Sequence, residues 1–282
     1  MKTPKRIEPL VEEGLVDEVI RQLMSGKEAN VYVVRCGHEV RCAKVYKDAE
    51  HRSFRQSALY QDGRTVKSGR RARAMAKGTR YGRKAQEESW QTAEVDALHR
   101  LAAVGVRVPV PYGFFEGVLL MELVTDDAGN AAPRLNDLDL DPERAREYHS
   151  LLIRQVVRML CAGIIHGDLS EYNVLVGSEG PVIIDLPQAV DAAANNNACS
   201  MLLRDVDNLR AYFASFDPEI LSTEYAREIW TLYAAGELHP EVVLTGRVPL
   251  ITGSVDLAGI LREIDAAKEA HAALQLRLAL AG

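Results

Sequence analysis

At 282 residues, 47% hydrophobic and 26% charged, the chain can bury a substantial core as a two-lobed unit or as two small domains. Its formal charge of −6 names no partner, but the charge is uneven: Lys47 to Lys84 carries twelve Lys or Arg against three Asp or Glu, a local +9 that leaves −15 elsewhere. A start at Met1-Lys2-Thr3-Pro4-Lys5-Arg6 without an apolar core, and no apolar run of about 18 residues, exclude a signal peptide and a membrane span and point to a cytoplasmic protein.

In chain order, Leu15 to Met24 reads as helix or strand. Val31 to Arg35 and Arg41 to Tyr46 read as a β-hairpin around Cys36-Gly37-His38-Glu39. The basic segment that follows lacks a sustained apolar period and reads as mobile or partly ordered. A helix is expected from about Lys84 to Ala103, where Trp90, Ala93, Ala97, Leu98 and Leu101 keep near-helical spacing. Pro109 and Pro111 open strands at Val110 to Phe115 and Val118 to Leu123. Asp141-Pro142-Glu143 is an N-cap followed by Pro at the first helical position, starting a helix to about Ala162. Val174 to Val176 and Val182 to Ile184 form a second hairpin, and from Cys199 onward the pattern is helical, most clearly over Tyr225 to Ala234 and Asp256 to Leu280. The four cysteines (Cys36, Cys42, Cys161, Cys199) show no metal spacing; Cys42 and Cys161 read as core, and such usage fits a reducing cytosol.

The chemistry gathers around His166-Gly167-Asp168-Leu169-Ser170-Glu171-Tyr172-Asn173 and Asp185, which closes the apolar run Val182-Ile183-Ile184. Protein kinases use H-R-D-x-x-x-x-N followed by D-F-G; the first Asp faces the hydroxyl being phosphorylated, and the Asn and the second Asp hold Mg²⁺. Each acid alone reads as a solvated loop carboxylate. Ordered together between apolar runs, they point to phosphoryl transfer. His166 reads as a buried imidazole bonding the backbone rather than as a proton carrier.

Upstream, Ser25-Gly26-Lys27-Glu28-Ala29-Asn30 is a loop of small residues able to turn N–H groups toward phosphates, although in isolation a solvated hairpin turn is the better reading. Lys44, on an apolar strand between Ala43 and Val45, must find an anion or send its ammonium to solvent. In the kinase pattern it contacts the α- and β-phosphates and pairs with a glutamate on the next helix. Glu94, mid-helix between Ala93 and Val95, suits that better than Glu87 or Glu88. Met121-Glu122-Leu123-Val124 falls where a hinge between lobes belongs, so that backbone groups of Glu122 and Leu123 could meet an adenine edge; core packing explains the same residues equally well. The fold expected is α+β: a bilobal, protein-kinase-like arrangement with a small β-rich N-lobe containing one long helix and a mostly helical C-lobe. Its parts are an extension over 1–14, the N-lobe over 15–123 with the basic insert at about 47–84, the C-lobe over 124–216, and a helical extension over 217–282.

These residues together resemble the RIO family of atypical serine/threonine protein kinases. Ser25 to Tyr32 looks like its S-T-G-K-E-A-N-V-Y loop with the Thr missing. His166 to Asn173 matches H-x-D-L-S-E-Y-N, and Ile183 to Gln188 is similar to I-I-D-x-x-Q. Trp90 to Leu98 looks like W-A-E-K-E-x-x-N-L, which supports Glu94. The similarity covers roughly Leu15 to Phe216, and no winged-helix domain fits before Leu15, as in the RIO1-like, bacterial-type branch. The resemblance implies ATP with Mg²⁺ or Mn²⁺ and Ser/Thr phosphorylation, usually of itself. It places Ser25 and Lys27 at phosphate, Asp168 at the reacting hydroxyl, Asn173 and Asp185 on the metal, and an ATPase route through a phospho-aspartate at Asp185. It also implies the absence of the usual activation loop; no A-P-E follows Asp185.

Ser53, Ser57, Ser68 and Thr79 are candidate self-targets, and the protein substrate is otherwise unknown. Two other functions compete. A nucleotide-switched ribosome- or RNA-binding assembly factor would use the basic segment 47–84 for phosphate contacts. A small-molecule kinase of the aminoglycoside or choline type shares H-G-D-x-x-x-x-N, but usually has His where Ser170 stands.

Overall fold

A computed structural model of the chain describes residues 2–26, 29–47, 80–248, 259 and 266. Lys27, the basic segment over 48–79 with the four candidate self-targets, and all but two positions of the helix expected over Asp256 to Leu280 lie outside them.

Five antiparallel strands, β1 (Glu18–Ser25), β2 (Ala29–Cys36), β3 (Glu39–Tyr46), β4 (Pro111–Phe115) and β5 (Val118–Glu122), form one sheet in the order β1-β2-β3-β5-β4. The segment at Leu15 to Met24 resolves as the edge strand β1. Only Val19 of it is buried, so the alternation that marks a strand is missing from its sequence. Between β2 and β3, Cys36 pairs with Glu39 around Gly37, whose φ of 63° suits the first central position of a II′ hairpin turn. Glu116 and Gly117, both at positive φ, make the I′-like turn between β4 and β5.

Because strand side chains alternate faces, Ala43 and Val45 point to the outer side of the sheet and Cys42, Lys44 and Tyr46 to the inner. The outer side is covered by Ile7, which caps the short helix α1 (Glu8–Glu12), and by Leu10 within it, in a cluster with Val16, Tyr32, Val34 and Leu120. The stretch before residue 15 therefore packs into the N-lobe rather than standing apart. The inner side meets α2 (Arg80–Ala103), which begins four residues earlier than expected. Its Ala97, Leu98 and Leu101 are buried with Ala29, Tyr46 and Leu119, while the side chains of 80–91, Trp90, Glu87 and Glu88 among them, lie outside the described residues.

The second lobe is built on α3 (Pro142–Cys161), β6 (Ile164–Ile165), the hairpin β7 (Val174–Gly177) and β8 (Gly180–Ile183), β9 (Val190–Asp191), α4 (Ala198–Ala214) and α5 (Tyr225–Ala234). The Asp141 side chain accepts from Arg144 N at 2.8 Å, capping α3, and Pro142 follows at the first helical position. Leu152, Ile153, Val156, Val157 and Leu160 form its buried stripe. Cys161 is exposed, against the expectation of a core position: it ends α3 one residue past that stripe, so apolar neighbours in sequence are not neighbours in space. Cys42 and Cys199 are buried. The result is the expected bilobal α+β arrangement, and no helix among the described residues is long and apolar enough to cross a membrane.

His149 on α3 is 4% exposed, with its ring against Phe213 and Tyr225 and its Nε2 without a partner among the described residues. Burial, helped by Arg210, pushes its pKa down to about 4. An unfolded histidine titrates near 6.5, so below that pH the unfolded chain takes up a proton that the fold refuses. Stability should fall as pH drops from about 6.5 to 4. Urea unfolding at pH 7 and 4.5 should show wild type losing roughly 2–3 kcal/mol more than His149→Phe; equal losses would contradict the neutral, buried imidazole.

Candidate active site

The inner face of β3 supplies the first member of the site. The Lys44 ammonium donates to Glu94 Oε1 at 2.6 Å and to Asp185 Oδ1 at 2.9 Å, joining the sheet, α2 and the loop after β8 across 141 residues of sequence. The Lys44 and Glu94 side chains are 11% and 3% exposed, whereas that of Asp185 is 45% exposed, at the cleft. Burial alone would push the Lys44 pKa down, but Asp185 and Glu94 override it and hold the ammonium well above its ordinary range. Glu94 Oε2 accepts a short hydrogen bond from the hydroxyl of Tyr46, a partner that strand alternation makes available two residues after Lys44.

Asp168 and Asn173 lie on the loop between β6 and β7. His166 fixes its start: the ring is 2% exposed, with Nε2 at 3.0 Å from the Ile184 carbonyl and Nδ1 accepting from Asp168 N at 3.3 Å. That pattern assigns the proton to Nε2, and burial pushes the pKa down, keeping the ring neutral. The role expected of His166 as a backbone anchor is the one found. Asn173 Nδ2 donates to the Asp168 carbonyl at 2.8 Å, which turns Oδ1 the other way, and the Asn173 carbonyl accepts from Ile184 N at 3.0 Å. The second bond ties the loop to the residue before Asp185.

Asp185 occupies the left-handed region, with φ of 67°, which Asp tolerates better than most residues and which recurs at functional positions. The Lys44 ammonium holds its carboxyl below the ordinary range against the effect of burial. Partial burial moves Asp168 the other way, upward against the pull of Arg204, with Asp185 adding to the rise. Mg²⁺ needs only one or two protein oxygens beside phosphate and water, and Asn173 Oδ1 with the half-exposed Asp185 carboxylate fits that requirement.

Several members of this site carry no local motif. Both oxygens of Asp205 on α4 accept from the loop backbone, Oδ2 from Gly167 N at 2.7 Å and Oδ1 from Leu169 N at 3.0 Å. Asn208 bonds the Leu169 carbonyl at 3.0 Å and Arg204 that of Gly167. Burial pushes Asp205 up to about 7, against Arg204 and the two N–H donors. Asp205→Ala leaves both buried donors unpaired and should cost roughly 2–4 kcal/mol, read as a drop of about 5–15 °C in Tm; a loss under about 1 kcal/mol would mean that Asp205 does not hold the loop. Gln188 Nε2 reaches Asp168 Oδ2 at 3.3 Å.

Of the remaining expected positions, Ser25, Glu122 and Leu123 fall among the described residues. Ser25 Oγ donates to Asn30 Oδ1 at 2.9 Å, Gly26 N to the Ala29 carbonyl at 2.9 Å, and Lys47 Nζ to the Gly26 carbonyl at 2.6 Å. Lys27, between them, is outside the described residues. Glu122 ends β5; its carboxylate pairs with Arg107 at 2.6 Å and its N–H is engaged by the Val110 carbonyl at 2.9 Å. Leu123 follows, half-buried.

Comparison with known proteins agrees with this layout. RIO-type serine/threonine-protein kinase Rio1 of Haloferax volcanii is 34% identical over 211 residues, covering 72% of this chain and 66% of that one. The protein of the same name from Methanocaldococcus jannaschii is 33% identical over 202 residues, covering 70% and 63%. Serine/threonine-protein kinase rio1 of Schizosaccharomyces pombe is 29% identical over 215 residues, covering 76% and 41%. The chain thus spans less than two thirds of the length of these curated relatives. The RIO domain family model matches residues 30–226, from the start of β2 into α5, taking in Lys44, Glu94, both loop acids and Asp205. With that match over most of its length, the chain belongs to the RIO domain family.

Proposed function

We propose that this chain is an ATP-dependent RIO-type serine/threonine protein kinase, with itself as one substrate. The observation that carries the reading is the convergence of Lys44 on Glu94 and Asp185, at 2.6 and 2.9 Å, over the loop that holds Asp168 and Asn173. The Lys44 ammonium, kept charged by Glu94, is placed to bind phosphate oxygens. By the family resemblance Ser25 and Lys27 contact the same phosphates, and backbone groups at Glu122 and Leu123 meet the adenine edge, the Glu122 share falling to its carbonyl because its N–H is spent. Asp168, steadied by Gln188, orients the attacking hydroxyl and receives its proton. Asn173 and Asp185 hold Mg²⁺ or Mn²⁺, which when bound neutralises charge on the phosphate oxygens. On this reading residues 15–123 and 124–216 are the two catalytic lobes, with 217–282 as a helical extension.

Asp185 favours a second reading of the same site. It is ionised and half-exposed, so it can itself attack the γ-phosphorus with ADP leaving, and water then hydrolyses the acyl phosphate, giving an ATPase. The test is purified protein with γ-labelled ATP and Mg²⁺. Acid-stable label on Ser or Thr supports the kinase, and hydroxylamine-labile label supports the phospho-aspartate route. Label reaching only small alcohols or amino sugars would overturn both. Contact with RNA or the ribosome rests on the charge of residues 47–84. Deleting residues 52–80 should abolish salt-sensitive RNA binding with ATP hydrolysis intact, and unchanged RNA binding would remove that partner.

A further inference from the structure

Arg134 lies on the segment leading from β5 into the helical lobe, and none of the roles above uses it. Its backbone is fixed against the catalytic hairpin: Arg134 bridges to Leu175, and the Pro133 carbonyl accepts from Val176 N at 2.9 Å. From there the side chain crosses the cleft, and Nη2 donates to Met24 Sδ at 3.2 Å. Met24 immediately precedes Ser25 and Gly26. It stands opposite Val31, which in turn stands opposite Lys44.

Directly opposed residues project from the same face of a sheet, so Met24, Val31 and Lys44 form one row on the cleft side. The guanidinium therefore meets the surface that presents the Lys44 ammonium, about two strand spacings (roughly 10 Å) along it. A thioether is a weak acceptor, whereas a guanidinium offers five donors in a planar fork that matches phosphate. The contact with Met24 leaves most of that fork unused by it.

We propose that Arg134 is a phosphate-binding residue of the nucleotide site, a second cation that grips the triphosphate from the helical lobe while Lys44 grips it from the sheet. The inference deepens the kinase reading and rests on it. The experiment is binding of ATP and of adenosine, each with Mg²⁺, to the full chain and to Arg134→Ala and Arg134→Lys. The alanine variant should bind ATP about tenfold more weakly or worse and adenosine as wild type does. The lysine variant, which keeps the charge and the stem but not the fork, should fall between and remains informative if the alanine variant does not fold. Unchanged ATP affinity in both variants, or an equal loss for adenosine, would overturn the phosphate role while leaving the kinase reading in place. Failure of wild type to bind ATP at all would remove both.

Discussion

Asp168→Asn should lower kcat for phosphoryl transfer by about 10²–10⁴-fold while leaving ATP affinity nearly unchanged. The carboxylate faces the cleft from a loop whose backbone is held on both sides by Asp205, at Gly167 and Leu169. Asn keeps the shape and the contact with solvent, but it cannot take a proton from an attacking hydroxyl. A drop confined to kcat marks a group acting on the reacting atoms rather than on nucleotide binding. Steady-state kinetics over a range of ATP concentrations reads this directly, and wild-type turnover by the variant would remove Asp168 from the chemistry.

The second large effect lies at Lys44 and Glu94. Their side chains are 11% and 3% exposed, and removing one partner of a buried ion pair costs about 3–5 kcal/mol because the other charge stays behind without compensation. Lys44→Met should cost that much, because Glu94 then keeps the Tyr46 hydroxyl but no cation, whereas Glu94→Ala should cost less, because Lys44 keeps Asp185 at 2.9 Å. Lys44→Met should abolish phosphoryl transfer while leaving Glu94 bonded to Tyr46. The double variant Lys44→Met with Glu94→Gln carries neither charge, so it should recover much of the lost stability and none of the activity. Urea unfolding of wild type, Lys44→Met, Glu94→Gln and the double variant closes the cycle. Additive losses of stability would show that the two side chains are not coupled in solution.

How much of this was legible follows from where each interaction lives. Asp168, Asn173 and Asp185 lie on one short loop and the hairpin after it, so local spacing is enough to announce them. Lys44 was legible as a charge on an apolar strand, and Glu94 as the glutamate between Ala93 and Val95 on the helix that follows. Asp205 was not: its partners lie 38 and 36 residues earlier, and they reach it only because α4 packs beneath the loop. Arg134 and Tyr46 were silent for the same reason, since a bond across a cleft or from a strand to a helix leaves no periodicity. Strand β1 was ambiguous because an edge strand with a single buried residue carries no burial pattern. Cys161 misled because its neighbours' hydropathy says nothing about the phase at which a helix ends.

A single titration puts the cleft itself at stake: ATP added to the purified full chain in a calorimeter, with Mg²⁺ or with EDTA, for wild type and for Asp185→Asn. On the proposed site, in which Lys44, Asn173 and Asp185 would hold a divalent ion and a triphosphate, wild type should bind one ATP with Mg²⁺. Affinity should fall by about tenfold or more when either the metal or the Asp185 charge is withdrawn. Equal binding under all four conditions would show that the nucleotide lies elsewhere or nowhere, and that this convergence of side chains is structural.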